Sequence, residues 1–155
     1  MSCSPSAGKK PAEKQSNEPV NQVDISEVTP AYVLDASALL AVLNRESGAE
    51  VVAPLLGRAA ISSVNWTEVL QRAIALGMEV GDVRDELTSL GLRILPFTAE
   101  DAEPTARLWS LTRQAGLSLG DRACLSLARK LGHPALTAER LWAGLDLGVE
   151  VRLIR

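Results

Sequence analysis

Short apolar runs alternate along this chain with longer segments of helical period, and that alternation admits few architectures. Val33-Leu34, Ala59-Ala60-Ile61-Ser62, Leu92-Arg93-Ile94-Leu95, Ala135-Leu136-Thr137 and the alternating stretch Val149 to Ile154 read as strands. Helical periodicity fills most of the intervals between them. Strands separated by helices predict a three-layer α/β domain with a mainly parallel central sheet and helices on both faces. The sharpest junction is Tyr32-Val33-Leu34-Asp35-Ala36-Ser37-Ala38-Leu39-Leu40, where a buried strand runs into an acid and a helix begins at once. Asp35 therefore stands at a strand's carboxyl end, the edge where open α/β sheets bind ligands. Aspartate is also a favoured helix N-cap, so its position alone admits a capping role.

The helical segments place further acids. Ser37 to Asn44 carries Leu39, Leu40, Val42 and Leu43 inward, and Ala49 to Leu56 contains Pro54, tolerated only in a first turn or at a kink. A helix from Trp66 to Leu76 would hold Glu68 in its first turn, where the helix dipole favours an acid. Asp82 to Leu90 forms another, and Thr98 with Asp101 resembles a capping box before a long helix to Ala115. Ser118 is a natural cap for the segment ending at Leu131, with Asp121 near the third position and a second capping box as the plain explanation. Gly120 fits that explanation poorly, because glycine weakens a helix by about 1 kcal/mol relative to alanine. Its missing side chain would admit another group close to Asp121. Glu139, in Ala138 to Trp142, repeats the pattern of an acid just beyond a strand.

A chain of 155 residues predicts one domain with its own core. Residues 1–30 lack apolar periodicity and are punctuated by Pro5, Pro11, Pro19 and Pro30, so they read as a disordered extension ahead of a folded domain at residues 31–155. The extension lacks the apolar centre of a signal peptide, and no run of about 18 apolar residues spans a bilayer, so the reading is a soluble, cytoplasmic protein with no membrane partner. Cys3 and Cys124 make no disulfide framework. His133, the only histidine, rules out a His-x-x-x-His zinc site. The net charge of −3 argues against coating nucleic acid by bulk electrostatics. From Ala31 onward, however, 12 of the 13 basic residues are arginine, whose planar fork suits phosphate.

Asp35, Glu68, Asp121 and Glu139 all follow strands or open helices that follow strands, which gathers them at one edge of a parallel sheet. Converging carboxylates repel and raise one another's pKa, and a divalent cation relieves that repulsion. All-oxygen ligands select hard ions, Mg²⁺ or Mn²⁺, which retain waters for chemistry on phosphates. Composition and spacing reach metal-dependent phosphoryl chemistry and stop there.

Four stretches carry a resemblance: Val-Leu-Asp-Ala-Ser-Ala-Leu-Leu at 33–40, Ser-Ser-Val-Asn-Trp-Thr-Glu-Val at 62–69, Leu-Ser-Leu-Gly-Asp-Arg-Ala at 117–123 and Leu-Thr-Ala-Glu-Arg-Leu-Trp at 136–142. In order, they resemble the signatures of PIN-domain nucleases, most closely the VapC-type toxins of type II toxin–antitoxin pairs. The resemblance covers residues 31–155. It implies a Mg²⁺- or Mn²⁺-dependent endoribonuclease whose acids match Asp35, Glu68, Asp121 and Glu139, the last in a position usually held by aspartate. It implies that Ser37, Asn65, Ser118 and Thr137 orient those acids or their waters, and that Arg122 is a candidate phosphate contact. Cleavage would leave a 5′-phosphate and a 3′-hydroxyl. The expected partners are RNA, a second copy in a homodimer, and a cognate antitoxin.

Two other readings remain at this level. A haloacid-dehalogenase-like phosphatase also places an aspartate after its first strand but wants an acid two residues later, where this chain has Ser37. A PIN-like fold that has lost activity would serve as a scaffold or RNA-binding subunit.

Overall fold

The computed structural model describes residues 1–8 and 29–155. Most of the extension expected at 1–30 therefore lies outside the described residues. Five short strands, β1 (Tyr32–Leu34), β2 (Ala59–Ser62), β3 (Arg93–Leu95), β4 (Ala135–Thr137) and β5 (Val151–Leu153), form one sheet in the order β3-β2-β1-β4-β5. Every neighbouring pair is parallel, with Val33 opposite both Ala60 and Ala135. The central strands are apolar and buried along almost their whole length, as a parallel sheet covered on both faces requires.

Period-two alternation splits the core between the two faces. Leu34, Ile61 and Leu136 point into a cluster with Leu39 of α1 (Ala36–Leu43), Val52 of α2 (Ala49–Val52), Trp66 and Val69 of α3 (Ser63–Ala75), and Val83 and Leu87 of α4 (Val80–Ser89). Val33 and Ala135 point the other way, against Cys124, Leu125 and Ala128 of α7 (Leu119–Leu131), with Trp142 and Leu147 closing that layer. Helices thus cover both faces, and the three-layer reading holds. Among the described residues no helix is long and apolar enough to cross a membrane.

From β1 the chain builds outward through β2 and β3, then returns to add β4 and β5 on β1's other side. The direction of build reverses between β1 and β4. A crevice opens at such a switch point, outside the strands' carboxyl ends, and Asp35 and Glu139 lie at the ends of the two strands concerned.

Three helices depart from their expected bounds for local reasons. α3 begins at Ser63, before Trp66, because the Ser62 hydroxyl caps it by accepting from the Val64 N–H at 3.3 Å. The segment after Gly48 is one turn of α2 followed by a tighter 3₁₀ turn, Ala53–Arg58, with Pro54 in its first turn, where the missing N–H costs nothing. The long helix expected between Thr98 and Ala115 breaks at Leu108 into α5 (Ala99–Arg107) and α6 (Trp109–Thr112), followed by a 3₁₀ turn at Arg113–Ala115. Pro104 removes one hydrogen bond from α5, and the Thr105 and Thr112 hydroxyls bond back to the carbonyls of Asp101 and Leu108 at 2.7 and 2.8 Å. Both devices bend helices.

Candidate metal centre

Asp35 occupies the N-cap position of α1, yet its side chain makes no capping bond. Its carboxylate instead turns into the crevice, where the residue is only 3% exposed. Oδ2 accepts from Ser37 Oγ at 2.6 Å and from Thr137 Oγ1 at 3.0 Å, while Oδ1 accepts from Asn65 Nδ2 at 3.3 Å. Both hydroxyls are aimed by the chain after β4. Ser37 Oγ accepts from the Ala138 N–H at 2.9 Å, and Thr137 Oγ1 accepts from the Glu139 N–H at 3.0 Å. Burial pushes the Asp35 carboxyl above its ordinary range and the Asp121 charge adds to that, against the lowering effect of the two hydroxyls.

Glu68 belongs to the second turn of α3, not the first, because the helix starts at Ser63. The helix dipole therefore gives a weaker account of this acid than the sequence suggested, since the effect fades within a turn. The side chain is half-buried, and desolvation followed by the charges of Asp35 and Asp121 raises its pKa. Its carboxylate lies against Gly120, where a Cβ would stand 2.5 Å from Oε1 and 2.9 Å from Oε2. Gly120 thus makes room for Glu68. Asn65 ties the same two helices together by donating to the Gly120 carbonyl at 2.9 Å. With both amide hydrogens directed at acceptors, its buried Oδ1 is left without a hydrogen-bond partner.

Asp121 does form the capping box read from the sequence: the Ser118 N–H donates to Oδ2 at 2.8 Å and Ser118 Oγ accepts from the Asp121 N–H at 3.1 Å. That bond holds the carboxylate at the mouth of the crevice and uses only one of its oxygens. Arg122 Nη1 donates to the Leu117 carbonyl at 2.8 Å, and its Nε is buried without an acceptor. Glu139 is exposed, and it is its backbone N–H that joins the network. Cys124 lies beneath the acids, where burial and their charges push its thiol well up and keep it protonated.

The structure therefore brings Asp35, Glu68 and Asp121 into mutual electrostatic reach and sets Glu139 at the rim. Among the described residues no three His, Cys, Asp or Glu side chains are grouped closely enough, as they stand, to hold a metal ion together. A Mg²⁺-type ion needs no such grouping, since it is commonly held by one or two carboxylates and keeps several waters. The all-oxygen donors, two of them with pKa values raised by burial and by one another's charge, fit a hard divalent cation. Asn65 bonds to Asp35, an acid it was expected to orient, but its tie to the Gly120 carbonyl was missed by sequence reasoning, because that partner lies 55 residues away.

Thr137→Val keeps the side chain's shape and deletes the hydroxyl that serves both Asp35 and the Glu139 N–H. The variant is expected to lose about 1–3 kcal/mol, the cost of leaving buried polar groups unpaired. A lower urea midpoint at unchanged slope would show it.

The PIN domain family matches residues 32–146 of the chain. No curated protein matches it. Among solved structures, the chain is similar to a toxin–antitoxin complex from Klebsiella pneumoniae, with 20% identity and a TM-score of 0.64 over 80% of this chain and 98% of that one. It is also similar to DNA-bound VapBC from Salmonella typhimurium, with 16% identity and a TM-score of 0.60 over 82% and 100% of the two chains. A third is FitAcB from Neisseria gonorrhoeae, with 23% identity and a TM-score of 0.57 over 77% and 95%. With a family match across most of its described domain and the sheet that this likeness shares, the chain belongs to the PIN-domain family.

Proposed function

We propose that this protein is a metal-dependent endoribonuclease, the toxin component of a type II toxin–antitoxin pair. The observation that carries the reading is the buried Asp35 carboxylate, turned into the crevice and held by Ser37, Thr137 and Asn65 beside Glu68 and Asp121. Structural stability alone gives no reason to bury an acid against two others. Asp35, Glu68 and Asp121 would hold Mg²⁺ or Mn²⁺, with Glu139 reaching in from the rim. When bound, such an ion lowers the pKa of a water and neutralises charge developing on a phosphodiester. Ser37 and Thr137 fix the Asp35 carboxylate in one orientation, Ser118 fixes that of Asp121, and Asn65 fixes the spacing between α3 and α7. Arg122 adds positive charge next to Asp121. That similar structures are toxin–antitoxin complexes supports a cognate antitoxin as partner, and the proposed assembly of the toxin itself is a homodimer.

The test is cleavage of varied RNAs by purified protein with Mn²⁺ or Mg²⁺, with and without EDTA. Cutting that needs the metal and vanishes with EDTA is the expected result. Binding without cutting by any form would assign the fold to an RNA-binding scaffold instead.

A further inference from the structure

We propose that the cavity between α5–α6 and the start of α7 receives an unstacked nucleobase adjoining the scissile phosphate of single-stranded RNA. The proposal rests on the ribonuclease reading above and names a recognition site that reading lacks. The cavity holds about 420 Å³, within the range of small-ligand sites. Phe97, Ala106, Trp109, Leu119 and Arg122 are among the residues lining it. Leu119 and Arg122 lie in the first turn of α7, which also carries Asp121, and Phe97 follows the carboxyl end of β3, so the cavity opens at the same edge of the sheet as the acids.

Aromatic residues are scarce in this chain, with three tryptophans, one tyrosine and one phenylalanine. Trp66 and Trp142 are core residues, 8% and 1% exposed, while Trp109 is 51% exposed. Phe97 and Trp109 thus meet at a cavity open to solvent in a protein that otherwise uses its aromatic rings for packing. The break at Leu108 presents this indole, because it starts a new helix at Trp109.

Positive charge borders the apolar lining. The Arg113 guanidinium lies 5.1 Å from the Trp109 ring centroid. Arg122 makes no ion pair among the described residues, and its side chain is anchored through Nη1 on the Leu117 carbonyl. An exposed indole with one arginine over its ring and a second in the cavity lining matches a base and its flanking phosphates, the combination by which single strands are bound. An apolar peptide segment would leave both arginines without a counter-charge. A free small anion would leave the indole and Leu119 uncovered.

The experiment measures binding of a short single-stranded RNA of mixed sequence to the full chain carrying Asp35→Asn, with Mg²⁺ present, by fluorescence anisotropy. The same strand with one abasic ribose, moved along its positions, is measured in parallel. Adding Trp109→Ala is expected to weaken binding about 5- to 150-fold, the range for loss of one base–aromatic stack. One abasic position should reproduce that loss, and the substitution and the abasic site together should cost no more than either alone. Trp109→Phe should retain most of the affinity. Unchanged binding by Trp109→Ala, or an equal further loss on every abasic strand, overturns the proposal while parental cleavage keeps the ribonuclease reading intact. A change of oligomeric state by light scattering in Trp109→Ala would overturn it in favour of a contact between copies. A parent that neither cuts nor binds any RNA overturns both readings.

Discussion

Asp35→Asn is expected to lower metal-dependent RNA cleavage by about two to four orders of magnitude, the effect of losing several kcal/mol of charge stabilisation at the reacting phosphate. The substituted domain should remain folded, for reasons visible in the hydrogen bonds. An asparagine carbonyl can still accept from Ser37 Oγ and Thr137 Oγ1, but its amide would face the Asn65 amide across the present 3.3 Å contact. Relief of a buried, repelled charge is offset by that conflict between donors. The metal-free melting temperature should therefore move by only a few degrees, while the rise on adding Mn²⁺ should disappear. In the parent, saturation at a hundred times the dissociation constant contributes about 2.7 kcal/mol. The sign of the pH dependence follows from the raised carboxyls. Asp35 and Glu68 hold protons more tightly in the folded state than at their ordinary values of 3.8 and 4.5. Below those values they cost the fold nothing. As pH rises through their higher folded values, the metal-free protein loses the stability they contributed. Metal needs both ionised, so the Mn²⁺-induced rise in melting temperature should grow across the same interval. A rise of the same size in Asp35→Asn would place the metal elsewhere.

Gly120→Ala is expected to separate stability from activity. The added Cβ would overlap Glu68 Oε1 at 2.5 Å and its Cδ at 2.9 Å, but the obstructed group is the end of a flexible, half-buried side chain. Glu68 can swing aside at little cost, and alanine in the first turn of α7 gains part of the roughly 1 kcal/mol by which it exceeds glycine in a helix interior. The melting temperature should hold or rise slightly. Cleavage should fall about a hundredfold, the scale for displacing a positioned group by about 1 Å. Paired thermal melts and initial rates would check this, and unchanged rates would remove Glu68 from the centre.

The alternation of strand and helix was legible because burial on both faces leaves an unmistakable apolar run, and Asp35 was legible because it interrupts one. Glu68 was legible as an acid but not in its place. Ser62 and Ser63 can each cap a helix, and only the fold shows Ser62 bonding to Val64 while Ser63 accepts from the Phe97 N–H at 2.9 Å. The break at Leu108 carried a local signal in Pro104, which the apolar periodicity on either side outweighed. Asn65 was legible only through the resemblance of the stretch around it, since its partners are a carboxylate and a carbonyl from distant parts of the chain. The strand order was hidden for the same reason, as periodicity identifies strands without pairing them.

The sheet order also sets when the centre comes into being during synthesis. Asp35 leaves the ribosome 102 residues ahead of Thr137, its hydroxyl partner, and β1 meets β4 only after both β2 and β3 have been made. Contacts of such span form late and slowly, because the loop must close before anything rewards it. Until β4 docks, Asp35 lacks Thr137, Ser37 lacks the N–H of Ala138, and the crevice has only one wall. A nascent chain of this topology carries its acids apart from the groups that orient them until the last third of the domain has been added.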